Sequence, residues 1–402
     1  MSNEERNYRF LPVYQIVVKG LDNVLFFPTI KLKKNILEEI PVGLNVLTRI
    51  KWRGKAMRHC RGVVFIGLLL TLIVVPVQAV TIYPTGHLAS VVKINNSYFD
   101  FSQYDLNVAA LIEIAPEINM ELGVDYQPGE SLSPIAWIDY TILNAFRIQV
   151  GRFPIPFGVF NELDNPKTNI LVTNPELCIN AIPAPWTDWG ARIQWMQRIS
   201  NSETFSLSAY VCNGLGYGLN IRDSRQMTDN NASNSFGTRI ALISNRFGEF
   251  GASGHFGARD DASTRNLGLF GLDIHSKISI VELRGEYIAG LLEFQDGAIE
   301  AILIGWDEIR NSAPETLSWT NGFYLQLALN ISQYVIPAVR FDYLGYEDLN
   351  LEQRMNQNKF AIGVSCYPID PLVIKFETGL INDRYGRDFQ FAPLHLQVGV
   401  GI

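Results

Sequence analysis

The side chains of this 402-residue chain best placed to do chemistry are charged or polar groups set among apolar or small neighbours. Arg147, Gln149, Arg192, Arg239, Arg284, Arg340 and Lys375 are one set; Glu113, Glu121, Glu282, Glu286, Asp342 and Glu377 are the other. Such groups make no covalent bond. Lining a common space, they sort ions by the sign of their charge. Groups for covalent or metal chemistry are thin. His87, His255, His275 and His395 are isolated, and none is spaced from another His or Cys as zinc ligands are. Pairing His255 or His275 with Ser253 or Ser276, as a lipid hydrolase requires, finds no support in the spacing. The chain has no Gly-x-Ser-x-Gly, no Gly-rich phosphate loop ending in Lys-Ser/Thr and no His-Glu-x-x-His. The Gly-rich run from Cys212 follows a strand with no helix behind it, so it reads as a loop entrance. The expectation is no enzyme, no cofactor and no bound metal.

Strands must position these charges, because the chain alternates with a period of two. Leu106, Val108, Ala110, Ile112 and Ile114 fall on one face, with Asp105, Asn107 and Glu113 on the other. After a turn at Ala115-Pro116, Met120, Leu122 and Val124 alternate with Asn119, Glu121 and Asp125. The pattern recurs to the end, where Leu394, Leu396, Val398 and Val400 alternate with His395, Gln397 and Gly399. A soluble sandwich and a membrane barrel both produce it. Charge in mid-strand at Arg239, Arg284, Arg340 and Lys375 favours a barrel whose wet face lines water.

The links separate the two further. Short ones fall near 115–117, 144, 199–203, 245–248, 275–278, 332–334 and 367–371. Longer ones fall near 127–133, 154–187, 214–235, 258–266, 290–318, 344–358 and 381–391. Short turns on one rim and long loops on the other mark an outer-membrane barrel. Fifteen strands count from 103 to 402, and a weakly alternating 86–95 supplies one more. The expected fold is all-β: a transmembrane antiparallel β-barrel of about sixteen strands, wide enough for an aqueous channel. A further hairpin in 290–318 stays open. Tyr126, Trp137, Tyr140, Trp189, Trp195, Tyr287, Trp319, Phe323 and Tyr343 cluster toward strand ends, as an interfacial girdle does.

Composition agrees, with 47% hydrophobic and 18% charged residues. Basic residues at 57–61, an apolar run at 62–77 and Val77-Gln78-Ala79 form the three parts of a secretory signal peptide, cleaved after Ala79. A signal-anchor helix is the rival. Residues 1–56 then read as an upstream extension outside the mature protein, with 80–402 as the barrel. Residues 1–79 hold 12 of the 33 Lys+Arg and 5 of the 40 Asp+Glu, leaving 21 and 35, a net charge near −14. That balance argues against nucleic acid as a partner. Cys178, Cys212 and Cys366 are too few and too scattered for a disulfide framework.

The longest informative link follows 145–153, a strand that runs into a Pro/Gly corner and then a loop of more than thirty residues. Loops of that length tend to be functional. The run Arg147-Ile-Gln-Val-Gly-Arg-Phe-Pro-Ile-Pro-Phe-Gly158, then Trp186-Thr-Asp-Trp-Gly190 and Tyr210-Val-Cys-Asn-Gly214, resembles the phosphate-selective porin O and P family of Gram-negative outer membranes. The stretches Gly285-Glu286-Tyr287 and Val339-Arg340-Phe341-Asp342-Tyr343 are in keeping with it. The resemblance spans most of 86–402. It implies a sixteen-stranded barrel, a homotrimer, and a third outer loop folded inward to narrow the channel. Glu162, Asp164, Lys167 and Glu176 are the charged candidates on that loop.

Phosphate capture does not carry over with the resemblance. The basic set is matched by carboxylates that include Asp105 and Asp125, so weak selectivity or a cation bias is expected. The expected role is passive diffusion of ions and small hydrophilic solutes across the outer membrane. A non-conducting barrel serving as an adhesin or structural protein is the alternative.

Overall fold

The computed structural model describes residues 80–94, 99–126, 133–142, 145–163, 168–216, 224–226, 228–294, 316–348, 353–382 and 389–401. The upstream extension, the signal peptide, Asp164, Lys167 and the possible hairpin within 295–315 lie outside them.

Sixteen strands follow in order: β1 (Thr81–Ile94), β2 (Phe99–Ala115), β3 (Ile118–Tyr126), β4 (Ser133–Ile142), β5 (Phe146–Pro154), β6 (Thr187–Arg198), β7 (Glu203–Cys212) and β8 (Ser235–Ser244). Then come β9 (Gly248–Ala258), β10 (Asn266–Ile278), β11 (Val281–Phe294), β12 (Thr316–Leu329), β13 (Val335–Asp348), β14 (Gln353–Ile369), β15 (Leu372–Asn382) and β16 (Phe389–Gly401). Two short helices, α1 (Gly158–Leu163) and α2 (Glu176–Asn180), lie between β5 and β6. Each strand pairs with its sequence neighbours, and β1 pairs antiparallel with β16 from His87↔Gly401 to Ile94↔Leu394. The barrel is therefore closed. Closure leaves no unpaired strand edge, which backbone in a hydrocarbon medium requires.

Alternation along each strand makes the two faces chemically distinct. On β12 the outer face carries Phe323, Leu325 and Leu327, all exposed, while Tyr324, Gln326 and Ala328 are buried on the inner face. On neighbouring β13, Phe341 is exposed between buried Arg340 and Asp342. Leu88, Val108, Ile193, Phe236, Phe256, Phe360 and Val398 continue the exposed apolar surface around the barrel. Each such side chain gains about 1.5–3 kcal/mol on leaving water for an apolar medium. The outer face suits lipid.

Several boundaries differ from the sequence reading. β1 starts at Thr81, five residues before the expected 86, and reaches β2 through the pair Thr81↔Glu113. The 275–278 link is strand: Lys277 pairs with Glu282 and Ile278 with Val281, and the chain reverses at Ser279, whose φ is 56°. The 344–358 link shrinks to 349–352, because β13 continues to Asp348 opposite Gln353. In each case the ladder outruns the apolar alternation, since the ends of a strand need only backbone pairing. Trp137 also departs from its expected place in the girdle. It is buried on the inner face with the Arg147 guanidinium 5.6 Å from its ring centroid, whereas Trp189, Tyr287 and Phe323 are exposed outside. Cys178, Cys212 and Cys366 are all free thiols.

Candidate functional site

The site is built around the long link between β5 and β6. The two strands pair up to Pro154↔Thr187, and Ile155 N–H still donates to Trp186 O at 2.9 Å. Pro156 has no N–H to continue the ladder, and Gly158 takes φ +69°. A Cβ at Gly158 would collide with the Glu286 carboxylate, so the bend and the close approach both require glycine.

Asn161 then clamps the neck of the link. Its Nδ2 donates to Ile155 O (2.8 Å) and Trp186 O (3.0 Å), and its Oδ1 accepts from Trp186 N–H (2.5 Å). Nothing in the sequence pattern singled this residue out. It is an Asn in an irregular stretch, and its partners are backbone groups that only the closed neck brings together.

Beyond the neck, the segment bonds to the inner faces of β6 and of strands distant from its own. Gly158 N–H donates to Ser253 Oγ on β9 at 3.1 Å, and Phe160 N–H donates to Glu286 on β11. Glu162 pairs with Arg192 on β6 (3.1 Å) and Arg239 on β8 (3.7 Å). Further along, Ser365 on β14 donates to Ile170 O at 2.5 Å. Glu377 on β15 accepts from Val172 N–H and Thr173 N–H at 2.6 and 2.7 Å. Arg340 on β13 donates to Thr173 O (2.7 Å), Thr173 Oγ1 (3.0 Å) and Asn174 O (3.2 Å), while its Nε holds Asp342 at 2.8 Å. Asp342 also accepts from Glu176 N–H at 3.2 Å, and Lys359 on β14 pairs with Glu176 Oε1 at 2.9 Å.

An apolar cluster backs these bonds. Phe157, Phe160, Leu177, Ile182 and Trp186 of the segment pack with Trp137, Tyr210, Leu267, Leu269, Ile288 and Tyr324 of the walls. The expected residues are thus brought together in part. Arg192, Arg340, Glu286, Asp342, Glu377, Glu162 and Glu176 converge on the segment. Arg239 adds Glu249 (2.8 Å) and Asp273 (2.6 Å), and Arg284 pairs with Glu282 at 2.6 Å, beside His275 at 3.2 Å. Lys375 is fully buried. Lys359 was missed because the sequence reading placed a loop just before it.

Arg147 and Gln149 lie on β5, Glu113 on β2 and Glu121 on β3. Arg147 pairs with Asp139 on β4, and Gln149 stands opposite Asp139 and Arg192 in the ladders. Tyr83 Oη donates to Glu113 at 3.4 Å. Glu121 stands opposite Leu111 and Trp137. His87 is not isolated: its Nε2 lies 3.2 Å from Asp105 Oδ1, and the ligand atoms of His87, Asp105 and Asp125 all fall within 4.8 Å of one another. Three protein donors are fewer than a closed structural metal site uses, and no metal centre is assigned to them.

This architecture defines a class: a closed sixteen-stranded β-barrel with an apolar outer face and a charged inner face. No family model matches the chain. An uncharacterized protein of Aquifex aeolicus (strain VF5) is 33% identical over 89 residues, which are 22% of this chain and 19% of that protein. The fold is similar to OmpT with loop L8 deleted, an outer membrane protein of Vibrio cholerae, at TM-score 0.54 and 8% identity over 80% of this chain and 99% of that one. It is similar also to the trimer form of in-vitro folded OmpT, at TM-score 0.52 and 9% identity over 80% and 99%. The likeness is one of fold.

Proposed function

We propose that the protein is an outer-membrane porin of a Gram-negative bacterium, exported through the 57–79 signal peptide. It forms a water-filled channel for passive diffusion of ions and small hydrophilic solutes. The observation that carries this reading is the pairing of a closed sixteen-stranded wall, apolar outside, with charge on its inner face. Segment 155–186 folds inward as the constriction, supported by its bonds to β9, β11 and β13–β15. The inner-face residues named above line the pore or hold that segment, with outer-membrane lipid around the barrel. The homotrimer follows from the family resemblance, and one fold relative has a trimer form. Phosphate selectivity is set aside, because the arginines on the inner face are matched by carboxylates. The charge preference is accordingly weak.

Conductance of folded, purified protein in planar bilayers tests the reading. Folded barrel that never conducts would sink it and support the second reading, a plugged barrel with an adhesive or structural role. One observation favours that alternative: the apolar cluster joins segment 155–186 to β4, β7 and β10–β13 and takes up inner space.

A further inference from the structure

We propose that the passage left beside segment 155–186 follows the inner faces of β16, β1, β2 and β3 and admits cations in preference to anions. The inference rests on the channel reading above and gives it a path and a sign. Its first support is the fate of the basic side chains. Arg192 is held by Glu162, and Arg239 by Glu162, Glu249 and Asp273. Arg284 is held by Glu282, Arg340 by Asp342 and Lys359 by Glu176. These five cations lie on β6, β8, β11, β13 and β14, the wall on which the segment is anchored. An anion passing there meets guanidinium groups already bonded to carboxylates.

The opposite wall has the reverse balance. The registers place Asp100 opposite Lys93, Asp105 opposite Ala89, and Asp125 opposite Asn107. They place Glu121 opposite Leu111, and Glu113 opposite Asn119, which in turn faces Asp139. Because β2 and β3 run antiparallel, this order is also a descent from the long-loop rim to the short-turn rim. Carboxylates therefore recur at successive levels: Asp100, the Asp105–Asp125 pair, Glu121, then Glu113 with Asp139. Among the described residues, Lys93 stands opposite Asp100, Arg147 is bound to Asp139, Arg152 donates to Ser133 of β4, and Lys375 stands opposite Gln397 of β16, fewer cations than the carboxylates they accompany. Leu111 sits at the margin of the segment's apolar cluster, which marks where the covered region ends. A column of carboxylates along a low-dielectric wall raises the local concentration of cations and lowers that of anions.

The test is the reversal potential of the full barrel across a potassium chloride gradient, for wild type and for a D105N/E113Q/E121Q/D125N variant. The expected wild-type permeability ratio of potassium to chloride is about threefold or more, falling toward one in the variant. A wild-type ratio at or below one, or a ratio the four changes leave untouched, overturns the inference while the channel reading stands. Absent conductance overturns both. A second measurement guards against a variant that fails to insert: Asn107→Cys, at a half-buried position on the inner face of β2, in the otherwise wild-type chain. Faster block by a cationic than by an anionic methanethiosulfonate supports the path along β2, and equal rates or none overturn it.

Discussion

Glu377 on β15 accepts the N–H of Thr173 at 2.7 Å, joining positions 204 residues apart in the chain. Thr173 lies on the link between β5 and β6, so this bond fixes the far reach of the segment against a strand well round the barrel. Val172 N–H donates to the same carboxylate at 2.6 Å. Hydrogen bonds to a charged acceptor contribute about 1.5–3 kcal/mol each. Glu377→Gln keeps an oxygen but removes the charge. The Val172 and Thr173 amides should then exchange with deuterium about tenfold faster or more, while amides of the β12–β13 ladder keep their protection. Unchanged exchange at 172–173 would mean that the bond is incidental to holding the segment.

Much of the barrel was legible in the sequence. Alternation such as Phe341 and Tyr343 against Arg340 and Asp342 reports a sheet with one apolar face, and the rhythm of short and long links gave the strand count. Strand ends were less legible, since pairs such as Asp348↔Gln353 carry no apolar signal. The charged residues were found for the same reason the strands were: each interrupts an apolar pattern. Their partners were not. Thr173, Asn161 and Ser253 act through irregular backbone whose path no periodicity encodes. The sequence showed that one face of the strands carries charge, but not which of those charges the link would bond.

Asn161 makes a sharper stability prediction. Its side chain satisfies Ile155 O, Trp186 O and Trp186 N–H at a buried neck. Asn161→Leu keeps the size but orphans Trp186 N–H, and a buried unsatisfied backbone group costs about 1–3 kcal/mol. The unfolding midpoint in urea, measured in lipid vesicles, should fall accordingly. Asn161→Asp should be at least as damaging, because a carboxylate cannot donate to the two carbonyls.

Arg340 and Asp342 form an ion pair with side chains 1% exposed on each side. Removing one partner leaves a buried charge uncompensated, at a cost of about 3–5 kcal/mol. Arg340→Met should therefore destabilise the barrel strongly. The double variant R340M/D342L should recover much of the loss, because replacing a buried pair by apolar groups is often close to neutral. A double-mutant cycle from guanidinium unfolding reads the coupling directly. Additive losses would show that the two side chains act separately, with Arg340 serving mainly as donor to Thr173 and Asn174.

Deleting residues 163–182 tests whether the segment narrows the proposed channel. The cut keeps Asn161 and Glu162 but removes Thr173, Glu176 and Leu177, and with them the anchors to β13–β15. The closed wall does not depend on these residues, because its ladders run strand to strand from β1 to β16. Heat-modifiable migration on gels should persist. Conductance should rise by about twofold or more, since a sixteen-stranded wall alone encloses an aqueous channel. Selectivity should move as well. Lys359 loses Glu176 and Arg340 loses its acceptors on Thr173 and Asn174, so positive charge on the covered wall is released to the new space. The permeability ratio should shift toward chloride. A conductance rise with no change in ratio would mean that the covered wall stays neutral through its own carboxylates, with Asp342 and Glu377 taking over from the segment. Unchanged conductance would show that residues 163–182 do not narrow the path at all.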